Sequence, residues 1–560
     1  MTRKAIVSWL AAVVGLVLLG SGCTTAGGSA SGSAAATGHR GGILHLLMAS
    51  DLEHLDPARA NTETQLQLQT LYSPTLTSYV NAAGTAGTAI GPDAATGTGR
   101  SNADRTKWSF TVRPNLRWQD GKPVTCEDFR YGVNRSFSDL LTDGPSYQKA
   151  LLKGGQTYRG IYLDPHGIPS VTCVGDTITY ELAQPLADFP YAVTMSSFAA
   201  VRQDRDARTG YDAMPFSYGP YEFASHVRDK SIRMVRNPHW DQSADHIRLN
   251  LPDELDFELS VEGSVITDRL VRGQGTDQQA VSFGSSAIAP EQAAQILASP
   301  ALKQRTITGF GGSTTFIAIN TKKVPDLACR RAYVYAMNKK TYLTVQGGPT
   351  FGDYATTIAA PTVKAYRKID PYGLAGKPEG DPAKARELLA QSRNCPQDIK
   401  LDYSQSATGD RIAAAIADAF ARVGLAVHPN PLPRKSFHTI VGRPAAQNEL
   451  LLTSWIADWP SGEAIFPPQF SGDRIRPDGN VNFSQLNDPK INQAIKAAEA
   501  VPDTDSAQAS WATVDQLIQE DAAAIPIRYN KQVLIVGPRV TGARISSQYL
   551  DVSLQNVGVE

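Results

Sequence analysis

The sequence has no surplus of charge. Its 560 residues carry 54 Lys and Arg against 54 Asp and Glu, so no net field draws it to a polyanion and nucleic acid is not an expected partner. Catalytic signatures are missing as well. There is no Gly-x-Ser-x-Gly, no His-Glu-x-x-His, no Walker A loop and no Gly-x-Gly-x-x-Gly opening a helix. Ser146-Tyr147-Gln148-Lys149 satisfies Ser-x-x-Lys, but without a Lys-Thr-Gly partner the match is chance. The nine His residues are scattered, and His246, His428 and His438 have no second ligand at helical spacing. Cysteine is scarce, with five in all, and no Cys-x-x-Cys or Cys/His spacing suggests a metal site. These absences argue against an enzyme, a metal centre and a cofactor.

What is present starts at the N-terminus. Arg3-Lys4 precede the apolar run Ala5 to Leu19, about the length of a signal h-region and short for a membrane span. Leu19-Gly20-Ser21-Gly22-Cys23 then resembles a bacterial lipobox, although Gly20 stands where Leu is usual. Thr24 to Gly42 is rich in Gly, Ala and Ser and too polar to pack, the composition of a flexible tether. Cys23 is therefore expected to be the lipidated first residue of the mature chain, holding the folded body at the outer face of the cell membrane. The alternative is an ordinary secretory signal followed by an incidental cysteine. At 560 residues and 42% hydrophobic content, the chain is long enough for two or three domains with sizeable cores. Cys126, Cys173, Cys329 and Cys395 form an even set in an exported chain, and four cysteines allow three pairings.

Ser454-Trp455-Ile456-Ala457-Asp458-Trp459-Pro460 sets one carboxylate between two indoles, directly after the apolar run Leu450-Leu451-Leu452, which reads as a buried strand leading into a loop. An Asp beside aromatic walls can fix a ligand ammonium by a charge-assisted hydrogen bond. It can equally cap the next turn while both Trp side chains enter the core. The segment resembles the Trp-x-Ala-Asp-Tyr-x-x-Pro loop of the family 5 extracellular solute-binding proteins, receptors of ABC importers for oligopeptides and dipeptides. The resemblance implies that Asp458 holds a peptide α-amino group, with Trp455, Ile456 and Trp459 around it. Trp459 replaces the family's usual Tyr, and Ser461-Gly462-Glu463 departs from its Asp-Pro.

Other blocks follow the same family's order. Gly41-Gly42-Ile43-Leu44 and Leu55-Asp56-Pro57 are similar to its opening strand and loop, where Asp51 matches an acidic residue that touches the peptide; a purely local turn role for Asp51 is equally open. Arg117-Trp118-Gln119-Asp120-Gly121-Lys122-Pro123-Val124-Thr125-Cys126-Glu127-Asp128 resembles a scaffold signature: a tight Asp-Gly turn, then a helix capped by Thr125 with Asp128 three residues on. Further matches are Gly219-Pro220-Tyr221, Arg236-Asn237-Pro238-His239-Trp240, the strand and helix from Thr315 to Lys339, and Ile525-Pro526-Ile527. Two helices are expected at Asp488–Ala500 and Ser506–Glu520.

The family implies an α/β, periplasmic-binding-protein-like two-lobe hinge fold of type II, the large cluster with an extra inserted subdomain. The expected layout is a signal peptide at 1–22, a tether at 23–40, lobe I at 41–73, 212–310 and 528–560, an inserted subdomain at 74–211, and lobe II at 311–527. Cys126 is expected to pair with Cys173 and Cys329 with Cys395, because each pair falls within one lobe and a bond across lobes would obstruct closure. The implied partners are a peptide ligand, ABC permease and ATPase subunits, and the membrane through Cys23; a monomer is expected. Two rival functions share the fold: a receptor for a metal chelate or other small solute, and a peptide-sensing surface lipoprotein without transport.

Overall fold

The apolar run after Gly41-Gly42 becomes the strand Ile43–Leu47, with Leu44, Leu46 and Leu47 buried. The computed structural model describes residues 38–560 apart from 142, 285–287 and 289; the signal segment, Cys23 and most of the tether lie outside the described residues. Ile43–Leu47 sits inside a five-stranded sheet ordered Ala280–Ser282, Ile43–Leu47, Glu254–Glu258, Ser231–Arg236, Tyr221–Val227. It runs parallel to both neighbours, which fits a run buried on both faces. The last two strands form an antiparallel hairpin.

A six-stranded sheet forms the second centre, ordered Gly352–Tyr354, Ala524–Ile535, Thr306–Ile319, Leu450–Ile456, Asp398–Ser404, Ala426–Leu432. Two of its strands are unusually long, Thr306–Ile319 with 14 residues and Ala524–Ile535 with 12, and they pair with each other antiparallel. Their outer ends belong to different cores. Val533 and Ile535 pack with Leu47 and Ala280 of the first sheet, whereas Ile317, Ile319, Ile525 and Ile527 pack with the helix Leu327–Ala336. These two strands therefore connect two separate cores. Register slips between Phe310 and Thr314 and again between Thr315 and Phe316, in the segment that holds Gly311 and Gly312 and directly follows Gly309. A Cβ at Gly309 would stand 2.7 Å from Ile545, so the chain approaches too closely there for a side chain.

Residues between the first helix, Glu63–Gln69, and the hairpin contain a separate four-stranded antiparallel sheet, ordered Arg100–Ser101, Lys107–Thr111, Thr177–Glu181, Val171–Val174. Its core is aromatic, with Trp118, Phe129, Phe137, Tyr180, Phe189 and Phe198 all buried. The helix Cys126–Arg135 begins in a reciprocal capping box: Asp128 N donates to Thr125 Oγ1 at 3.3 Å and Thr125 N to Asp128 Oδ2 at 2.8 Å. Before it, Gly121 takes φ of +81°, which the tight turn requires. Arg202 holds Asp120 of that turn with two bonds of 2.9 Å.

Two disulfides tie these elements. Cys126–Cys173 joins the start of that helix to its sheet with a Cα separation of 5.9 Å, and Cys329–Cys395 joins the helix Leu327–Ala336 to the segment before Asp398–Ser404 at 5.3 Å. The Leu-Asp-Pro loop is clamped by buried charge. Arg135 donates to both oxygens of Asp56 at 2.7 Å and to Asp206 at 2.9 Å; Arg135 and Asp56 are fully buried, and Asp206 partly so. The last long helix runs further than the sequence expectation, spanning Thr504–Asp521 rather than Ser506–Glu520, and the first, Glu63–Gln69, is capped by Thr62.

Candidate functional site

The strand Leu450–Ile456 delivers the site. Leu450 and Leu451 are buried and paired on both sides, antiparallel with Ile319 and Ala318 and parallel with Leu401 and Asp402. Beyond Leu451 the parallel ladder ends, while pairing to Thr306–Ile319 continues as far as Ile456 opposite Ser313. Leu452 to Ile456 therefore present one open backbone edge. A groove of about 400 Å³ is lined where the strands part, by Leu452, Thr453 and Ser454 on one side and Tyr403, Ser404 and Phe437 on the other.

Two residues past the strand, Asp458 faces a cavity of about 30 Å³, room for about two waters or one ammonium group. The cavity draws on distant parts of the chain: Asn61, Glu63 and Leu66; Tyr79; Thr194 and Met195; Ile456 to Asp458; and Gln548 with Tyr549. Tyr79 and Tyr549, both buried, meet edge to face with ring centres 5.9 Å apart. Two of the lining residues are acidic, and among the described residues that line it none is basic.

Asp458 opens to this cavity but is otherwise enclosed. Burial pushes its carboxyl up to about 6, the Tyr147 hydroxyl bonded to it pulls the other way, and the charge of Glu63 adds to the rise. The Tyr147 phenol is itself raised, first by burial and then by the charge of Asp458. A carboxylate with one phenolic donor and a second acid nearby lacks a counter-charge, and a ligand cation would supply it.

Backbone contacts hold the loop in place. Ala457 N donates to Gly312 O at 3.2 Å, within the irregular segment of the crossing strand, and Gln548 Nε2 donates to Asp458 O at 3.1 Å. Trp459 is buried; its Nε1 donates to Asp188 Oδ2 at 3.0 Å, and Thr504 holds the other oxygen of Asp188 at 2.6 Å. Its ring packs edge-on against Tyr147 at 5.4 Å.

Of the residues singled out from sequence, Ile456 and Asp458 line the cavity together. Trp455 stands half-buried on the strand with Nε1 bonded to Ala464 O at 3.2 Å, and Trp459 braces the loop from behind; neither lines the cavity. Asp51 is outside it too. Its carboxylate accepts Leu52 N at 2.7 Å and Asp229 N at 2.8 Å, with His226 Nε2 at 3.5 Å, and so ties its loop to the Tyr221–Arg236 hairpin. Glu63, Tyr147 and Gln548 were not found from sequence. Glu63 reads as a helix-first-turn acid, and Tyr147 is separated from Asp458 by over half the chain.

Residues 89–476 match the family described as "Bacterial extracellular solute-binding proteins, family 5 Middle". The chain is 23% identical over 468 residues to the periplasmic murein peptide-binding protein MppA of Escherichia coli strain K12, covering 80% of this chain and 81% of that protein. It is 23% identical over 459 residues to the periplasmic oligopeptide-binding protein OppA of Salmonella typhimurium strain LT2, with 79% and 80% covered. The solved structure of clavulanic acid biosynthesis oligopeptide binding protein 2 is similar at 29% identity and a TM-score of 0.86, over 93% of this chain and 96% of that one. The architecture is the type II two-lobe fold of periplasmic binding proteins.

Proposed function

The chain belongs to the bacterial extracellular solute-binding proteins, family 5, and from that premise we propose that it captures a peptide by its free amino end, closes over it and delivers it to an ABC importer. The observation that carries this reading is the Asp458 cavity: two acidic side chains, no basic one among those that line it, and a volume of about 30 Å³ suited to an ammonium rather than to a whole residue. The open edge of Leu452–Ile456 supports the rest. An extended main chain can add to it as a further strand, which binds peptides without demanding a sequence, and the adjoining groove leaves space for side chains and water.

The chemistry is binding, not reaction. The ammonium meets Asp458 where water is scarce, so the charge-assisted hydrogen bond is strong, and Tyr147 keeps the carboxylate oriented. In this reading lobe I comprises 41–73, 212–310 and 528–560, with 74–211 inserted, and lobe II comprises 311–527, so that the cavity lies where all three meet. The body is tethered to the outer face of the membrane by lipid on Cys23.

The test is a calorimetric double cycle, wild type and Asp458→Asn against the free and N-acetylated forms of one peptide recovered from the purified protein. Removing the counter-charge of a buried ammonium should cost about 2–5 kcal/mol, roughly 30- to several-thousand-fold in affinity. Acetylation should weaken binding to wild type far more than to the variant. Coupling near zero between the two changes would remove Asp458 from the binding site.

A further inference from the structure

A second cavity, of about 260 Å³, opens where the segment Arg113–Arg117 meets His239–His246. It shares no lining residue with the Asp458 cavity. Its walls are apolar: Pro92, Ala95, Pro114, Leu116 and the Trp240 ring. Its basic groups outnumber its acids, with Arg113 and Arg117 against Asp241; Arg117 Nη1 donates to Gly121 O at 2.9 Å. Arg113 spends Nη1 on Ala244 O at 2.6 Å, while its Nε is closed to solvent and has no hydrogen-bond partner; the indole N–H of Trp240 is in the same state. Arg117 and the exposed His239 and His246 complete the rim.

The nearby acids do not answer this demand. Asp93 takes both Nη atoms of the buried Arg248, one of them at 2.9 Å, and Asp245 stands 3.3 Å from Arg248 Nε. Asp241, on the rim, caps its own turn through Ser243 N at 3.0 Å and Ser243 Oγ at 2.6 Å. Arg113 thus forms no ion pair among the described residues, and burial lowers its pKa from the ordinary guanidinium value. Nε is sealed from the cavity, but Arg113 Nη2 is not, and it forms no hydrogen bond among the described residues, so it is left for a ligand acceptor.

We propose that this cavity is a second ligand site, separate from the peptide site, which takes a small monocarboxylate with an aromatic or branched apolar body. The carboxylate sits on Arg113, where a planar guanidinium suits its two oxygens. The apolar body fills the space between Trp240, Leu116 and the prolines. A cationic ligand is disfavoured by Arg113 and Arg117, and a bulky polyanion by the volume.

The probe is phenylacetate, titrated into the full-length protein by calorimetry beside its neutral analogue phenylacetamide. Phenylacetate should bind with a Kd below about 10 mM, a modest affinity well within the ceiling for a ligand of its size. The amide should bind at least about tenfold more weakly, and Arg113→Met should weaken phenylacetate by a similar factor. Asp458→Asn should leave phenylacetate binding unchanged. No binding at about 10 mM, equal affinity for acid and amide, or loss of binding in Asp458→Asn would each overturn the proposal. Should Arg113→Met fail to fold, the comparison of acid with amide on the wild type still decides.

Discussion

The two cavities are electrostatic opposites. One gathers Asp458 and Glu63 with no basic residue among its lining side chains; the other gathers Arg113 and Arg117, with its one rim acid already engaged. In both, burial works against the charge that is present: it pushes the Asp458 carboxyl up to about 6 and Arg113 down from its ordinary value. A chain with zero net charge can therefore hold two sites of opposite preference. What a site selects depends on which charge is left unanswered locally, not on the sum over the molecule.

The buried Arg248 stands between them. It pairs with Asp93, stacks on the Trp240 ring at 5.4 Å, and lies close enough to affect Tyr549 of the Asp458 cavity. Arg248→Met would leave Asp93 and Asp245 buried without their partner, at a cost of about 3–5 kcal/mol in unfolding free energy. It should also weaken ligands at both cavities, whereas Asp458→Asn and Arg113→Met should each affect one. Denaturant melts and paired titrations check this. Normal affinity at both sites would show that the two cavities are independent of the wall between them.

The next largest effect separates the cavities by pH. Asp458 titrates near 6 in the ligand-free fold and near 3.8 when unfolded, so its stability cost of about 3 kcal/mol is absent below both values and complete above the folded one. Ligand-free Asp458→Asn should therefore be more stable than wild type at pH 7.5, with the gain shrinking as pH falls toward 4. Peptide affinity should drop about tenfold per pH unit below 6 and fall again above about 8, where the peptide amine loses its proton. Phenylacetate binding should show neither inflection. A flat peptide profile between pH 4.5 and 7 would argue against an ionised Asp458 as the ligand's partner.

The smallest effect tests whether the second acid matters. Glu63→Gln should reduce peptide affinity by about two- to fivefold, since a half-buried charge beside the ammonium contributes about 0.5–1 kcal/mol. Isothermal titration at low and high salt would resolve it, with the difference narrowing as salt rises. An unchanged affinity at low salt would leave Asp458 as the cavity's sole recognising charge.

Much of the fold was legible in the sequence because local signals agreed with it. Thr125 and Asp128 make the expected capping box, and Gly121 the expected turn. Asp458 could be singled out because a carboxylate between two indoles after an apolar strand has few uses. Its surroundings were not legible. Tyr147, Glu63 and Gln548 reach it from three separate segments, and nothing in their own neighbourhoods marks them. Trp459 shows the limit most clearly: the sequence places an aromatic beside Asp458, but only the fold supplies Asp188, the buried acceptor that turns the indole away from the cavity. The open edge at Leu452–Ile456 was equally hidden, since it depends on where a parallel neighbour stops pairing.

The irregular segment of the crossing strands has a mechanical consequence. The slips at Phe310/Thr314 and Thr315/Phe316 leave two regular blocks of ladder with only the Thr314 and Thr315 pairs between them, and the outer ends of the two blocks pack into different cores. A rotation of one lobe against the other can be taken up by the dihedrals of those few residues, with the ladder on either side intact. Opening by such a rotation would be an elastic bend and not a partial melting. Amides of both blocks should exchange hydrogen as slowly in the open as in the closed state, and only those around Gly311 should report the motion. Because Gly312 O also carries Ala457 N, a bend there would be geared to the loop of Asp458, the residue proposed to recognise the ligand.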